Sequence, residues 1–163
     1  MSGFVHVERV RFGDLDAMRH LNNVVFLRYF ETARIAYLKT LIPAHDPAHP
    51  ESDDFGVIFA ECHINYRSPV HFDEEVAVGC SIGNVKRSSF RVEFEMRVGT
   101  RLAAEGYGVL VGFDYASQAA AQLPDELRER LEAEAAAPAA RSGGSECPAA
   151  QARHTVLGQV VQR

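Results

Sequence analysis

A chain of 163 residues, 47% hydrophobic and 24% charged, is long enough to bury one core and ordinary in composition for a soluble globular domain. Its formal net charge of −5 argues against binding nucleic acid by bulk attraction, and its apolar runs fall well short of the roughly 20 residues a membrane span needs. The opening MSGFVHVERV lacks the basic start and continuous apolar stretch of a signal peptide, so a cytoplasmic location is the default expectation.

Residues 4–12, FVHVERVRF, read as extended, with β-branched residues and alternating polarity. A polar turn, DLDAMRHLNN, occupies 14–23. From 24 to 42, Phe26, Phe30, Ala33, Tyr37 and Leu41 recur at helical spacing, with Arg28, Glu31, Thr32 and Lys39 on the other side. Either Asn22 or Asn23 suits the N-cap of this helix, and PAHDPAHPESDDFG ends it in a long loop.

From Val57 the period changes to two. Cys62, Ile64 and Tyr66 form one alternation, and Val76, Val78, Cys80 and Ile82 a second. Phe90, Val92, Phe94, Met96 and Val98 form a third, and a Gly-, Val- and aromatic-rich run over 101–115 a fourth. Turn signals at Ser68-Pro69, Gly83-Asn84 and Gly99-Thr100 separate the runs, so consecutive strands are expected to pair antiparallel. LPDELRERLEAEAA (123–136) predicts a short exposed helix, with Pro124 near its start and acidic residues in its first turn. The remainder, 137–163, is low-complexity and predicts a disordered tail, leaving 1–136 as the domain.

Cys62, Cys80 and Cys147 have no paired spacing, so reduced thiols are expected and neither a disulfide nor a zinc site is implied. His45 and His49 are four apart, but the surrounding prolines oppose the helix that would make that spacing chelate a metal. His63 and His71 read as ordinary strand and loop residues; Glu61 could face the site from its strand or equally lie on the sheet's outer face.

The turn over 14–23 has two readings. Asp and Asn before a helix accept bonds from its free first-turn amides, which makes the stretch a cap. The same amides also attract negative charge developing on a carbonyl oxygen. A nearby carboxylate such as Asp16 can act as general base for water or as nucleophile. His20, four residues on, could orient the water, the carbonyl or the carboxylate. Those parts suffice for acyl transfer to water without serine, cysteine or metal.

The stretch RVRFGDLDAMRHLNNVVFLRYFETAR resembles the opening of hotdog-fold acyl thioesterases of the 4-hydroxybenzoyl-CoA thioesterase type: a strand, D-x-D, then a helix with an aromatic pair and E-x-A-R, here Glu31, Ala33 and Arg34. His20, Asn22 and Asn23 are most similar to the H-x-N-N of the acyl-ACP thioesterase branch. Downstream, INYRSPVHFDEEVAVGCSIGNVKRSSFRVEFEM and VLVGFD followed by LPDELRERL extend the resemblance over about residues 5 to 132. It implies an α+β hotdog fold, an antiparallel sheet wrapped around one long central helix. It implies hydrolysis of an acyl-CoA or acyl-carrier-protein thioester with no cofactor and no metal.

By position, Asp16 matches the family's catalytic carboxylate and His20 the histidine of the acyl-ACP branch, with Asn22 and Asn23 at the substrate. Lys86, Arg87 and Ser88, at a strand turn, match a contact to the phosphates of coenzyme A or of a carrier-protein arm, and Arg67 is a further basic residue of this kind. Met18 departs from the asparagine or glycine found at its place. That departure keeps a second reading in view, a non-catalytic acyl-thioester binder. A hotdog dehydratase fits less well, because its usual catalytic histidine and acid context does not match D-x-D-x-x-x-H-x-N-N. A lone hotdog unit exposes sheet edge and half its cleft, so a homodimer or homotetramer is expected, with neither nucleic acid nor membrane as partner.

Overall fold

The computed structural model describes residues 4–42 and 55–137. The His45/His49 loop, Cys147 and the tail from 138 onward lie outside them. Strand β1 (Phe4–Arg9) is shorter than the extended run read from the sequence, because the chain leaves the sheet and makes a 3-10 turn at Phe12–Asp14. Helix α1 (Asn23–Leu41) follows. Then come β2 (Phe55–Tyr66), β3 (Glu75–Val85), β4 (Ser89–Val98), β5 (Arg101–Asp114), a two-residue β6 (Ala119–Ala120) and helix α2 (Asp125–Ala136).

The main strands lie in the order β1-β3-β4-β5-β2, and β6 adds to β5. Every pairing is antiparallel. The expectation that consecutive strands pair holds for β3, β4 and β5 but fails for β2, which crosses to the far edge and pairs with β5. The long connection from α1 to β2 gives the chain the reach for that crossing. Five strands, not four, follow α1, the last being the short β6.

The sheet curls around α1. Val25, Phe26, Tyr29, Phe30, Ala33, Tyr37 and Leu38 bury one face of the helix, and Phe30 stacks on Phe94 of β4 with ring centroids 4.2 Å apart. Close approach is possible because β5 carries glycine at alternate positions on its inner face. A Cβ on Gly108 would collide with the rings of Phe59 and Phe30, and one on Gly106 with the backbone carbonyl of His63. α2 is not wholly exposed: Leu127 and Leu131 are buried, and Glu134 accepts a 2.7 Å bond from the Tyr37 hydroxyl. The result is the α+β hotdog architecture. No helix among the described residues is long and apolar enough to cross a membrane.

Candidate active site

The D-x-D stretch forms a miniature hairpin. Leu15 and Leu21 bridge antiparallel, and the Asp16 amide donates to the His20 carbonyl at 2.8 Å. Within it the Arg19 amide returns to the Asp16 carbonyl, and Arg19 takes the left-handed conformation, φ 64°, that closes a tight turn. The Leu21 amide donates to the Val70 carbonyl at 2.7 Å, which docks the hairpin on the segment entering β3.

The two aspartates do different work. Asp14 is buried, 4% exposed, and its carboxylate accepts from the Arg11 amide at 2.9 Å, the Tyr29 hydroxyl at 2.8 Å and the Arg28 guanidinium. Burial alone would raise its pKa. The Arg11 amide, the Tyr29 hydroxyl and the Arg28 charge outweigh burial and hold it below the ordinary carboxylate value. Asp14 therefore ties the turn to α1. Asp16 is only half-buried. Its Oδ1 accepts from the amides of Met18, 2.8 Å, and His20, 3.3 Å, and no bond to Oδ2 is seen among the described residues. Two main-chain amides thus hold the carboxylate through one oxygen, and the other is left without a hydrogen bond among the described residues.

Met18 supplies only its amide to this arrangement, and its side chain is 73% exposed. The departure from the family pattern at that position thus falls on a side chain that the hairpin's hydrogen bonds do not use. The His20 ring meets the ring of His71 edge-on, centroids 5.2 Å apart. His71, read from the sequence as an ordinary loop residue, sits beside the hairpin because Val70 anchors it there. Exposed Phe12 and Phe72 pair edge-to-face at 6.2 Å in the same region.

Of the two possible caps of α1, Asn22 is the one used: its Oδ1 accepts from the Val24 amide at 3.0 Å, and its own amide donates to the Asp14 carbonyl. Asn23 is the first helical residue, so its amide has no intrahelical acceptor. The Asn23 carbonyl accepts from the Tyr66 hydroxyl at 3.1 Å. Tyr66 also packs its ring against Phe26, which brings the end of β2 to the helix N-terminus. Sequence alternation marks Tyr66 only as a strand residue; nothing local signals this contact.

Arg67, the next residue, is at this same end of the sheet, with its guanidinium engaged by Glu105 at 2.6 Å. Lys86, Arg87 and Ser88 are not. β1 and β3 pair with Arg9 opposite Glu75, so the Asp16 loop lies near the start of β3, whereas the basic turn follows its end. Eleven residues of strand separate the two by roughly 33 Å. The main-chain carbonyls of Arg87 and Ser88 accept from the amides of Leu123 and Gly112, pinning the approach to α2. Of the two readings of Glu61, exposure agrees with the outer face: it is exposed and accepts from the Tyr107 hydroxyl.

Residues 10–131 match the family model of the thioesterase-like superfamily, three quarters of the chain, and the chain belongs to that family. Among solved structures, a thioesterase of Thermus thermophilus, complexed with coenzyme A and Zn, is 36% identical with a TM-score of 0.70, the match covering 85% of this chain and 99% of that one. A 1,4-dihydroxy-2-naphthoyl-CoA thioesterase of Synechocystis (18% identical, TM-score 0.69, 78% and 94% covered) and a predicted thioesterase of Bacillus stearothermophilus (21%, 0.73, 83% and 98%) share the fold. No protein of curated function matches the chain.

Proposed function

We propose that the protein hydrolyses an acyl thioester, with coenzyme A or an acyl carrier protein as the thiol. The observation that carries this reading is Asp16: a half-buried carboxylate fixed through one oxygen by the Met18 and His20 amides, its other oxygen unbonded among the described residues, in a hairpin that leads directly into the N-terminus of α1. Asp16 takes a proton from water as the water oxygen attacks the thioester carbon. The charge developing on the carbonyl oxygen is met by the helix N-terminus, where the Asn23 amide is available. The C–S bond then breaks, and the proton passes to the departing thiolate. Attack by Asp16 itself, through a mixed anhydride that water then opens, uses the same geometry. His20 supports the carboxylate through its amide. Family membership and the coenzyme A held by the Thermus thermophilus thioesterase support a CoA thioester.

We further infer a homodimer, alone or paired into a tetramer, within which Lys86, Arg87 and Ser88 contact the phosphates of a substrate held at the partner's Asp16 loop; the roughly 33 Å of strand between the two within one protomer supports this arrangement. Thiol release from a panel of acyl-CoA thioesters tests the reading. Asp16→Asn keeps shape and hydrogen bonding and removes the base, so turnover falls by about 10²–10⁴-fold with the melting temperature unchanged. Equal turnover of the variant sinks the role given to Asp16. Binding of acyl-CoA without turnover by the native protein favours the non-catalytic binder instead.

A further inference from the structure

A cleft of about 150 Å³ opens between the second half of α1 and the paired strands β2 and β5, lined by Arg34, Ile35, Leu38, Lys39, Val57, Phe59 and Leu110. It lies apart from Asp16: Arg34 is twelve residues along α1 from Asn22, about 18 Å of helix. Arg34 is unusual for its place. Its side chain is 9% exposed, and its guanidinium lies over the rings of Phe59, 4.3 Å, and Phe30, 5.8 Å. Its Nε is buried without a hydrogen-bond acceptor among the described residues. Glu31 approaches only to 3.8 Å and is itself 62% exposed. The nearby thiols of Cys62 and Cys80 carry no countercharge, since burial raises both.

A planar cation taken out of water against two aromatic rings, with a donor unsatisfied, is costly unless an anion completes it. Guanidinium matches carboxylate in geometry. The other walls are largely aliphatic and aromatic, and a cavity of this size with such walls suits a stem about as large as a benzene ring. We propose that this cleft is a binding site for a carboxylate carried on a small apolar stem, with Arg34 holding the carboxylate and Phe59, Leu38, Val57 and Leu110 holding the stem. The proposal does not rest on Asp16 or on thioester hydrolysis.

Calorimetric titration of the full chain with two matched pairs tests it: benzoate against benzyl alcohol, and hexanoate against hexan-1-ol. At least one acid should bind saturably and exceed its alcohol by roughly 10- to 100-fold, the worth of a charge-assisted bond. Arg34→Met should erase that preference, and Arg34→Lys should recover part of it. Val57→Phe narrows the cleft without touching the cation and should weaken both members of a pair; it also decides the matter if Arg34→Met does not fold. Equal affinity of acid and alcohol, absence of binding by either acid, or acid binding unchanged in Val57→Phe overturns the proposal.

Discussion

At the residue scale, the two aspartates of D-x-D separate by what each touches. Asp14 has three donors on a buried carboxylate, so its folded pKa is depressed. A depressed carboxylate stabilises the fold above its unfolded pKa, and that contribution is lost as pH falls through the folded value. Asp14→Asn should therefore lower stability by about 1–3 kcal/mol at neutral pH and flatten the acid limb of the melting curve below the ordinary value of 3.8. Asp16→Asn should leave that limb in place; a melting profile of both variants against pH checks the contrast. Cys80 offers a second test. It is 1% exposed and burial pushes its thiol up to about 12, so thiol reagents should modify it only on unfolding, while half-buried Cys62 reacts earlier. That Asp16, His20, Asn22 and Asn23 gather in one turn was legible because they lie within ten positions. Arg34 and His71 were not, since their significance comes from neighbours distant in sequence.

At the element scale, the helix and the strand periods were readable because α1 buries one face and the sheet curls around it. The crossing of β2 to the far edge was not, because nothing in an alternating strand says which neighbour it takes. The glycines of β5 offered a faint signal. Gly in a strand interior is unfavourable unless a backbone or ring must come close, and Gly106 and Gly108 are where that happens. Gly108→Ala should displace Phe59, destabilise the protein by about 1–3 kcal/mol, and reshape the wall of the Arg34 cleft. A melting temperature equal to the native one would show that the rings yield freely.

At the scale of the whole molecule, β1 and β2 form the two edges of the sheet, and β2 presents twelve residues with Ile58 exposed. An edge of that length invites pairing with a second copy. The roughly 33 Å between the Asp16 loop and the basic turn then makes a prediction that subunit mixing can check. Asp16→Asn and the double variant Lys86→Ala, Arg87→Ala should each be impaired alone. Mixed and allowed to exchange, they should regain activity, because one site of every mixed dimer carries Asp16 from one protomer and the intact turn from the other. If the turn serves its own protomer, the mixture stays as poor as its parts.

The hairpin that presents Asp16 is held by main-chain atoms: the Asp16–His20 and Arg19–Asp16 bonds, the Leu15–Leu21 bridge and the dock on Val70. Ala17, Met18 and Arg19 are exposed within it. Their side chains are therefore free to drift under selection while the carboxylate keeps its address. A library randomised at those three positions should yield mostly folded members, with glycine enriched at 19, where the left-handed backbone favours it. Divergence at position 18 is then compatible with an unchanged hairpin, so the carboxylate's placement does not depend on which side chain stands there.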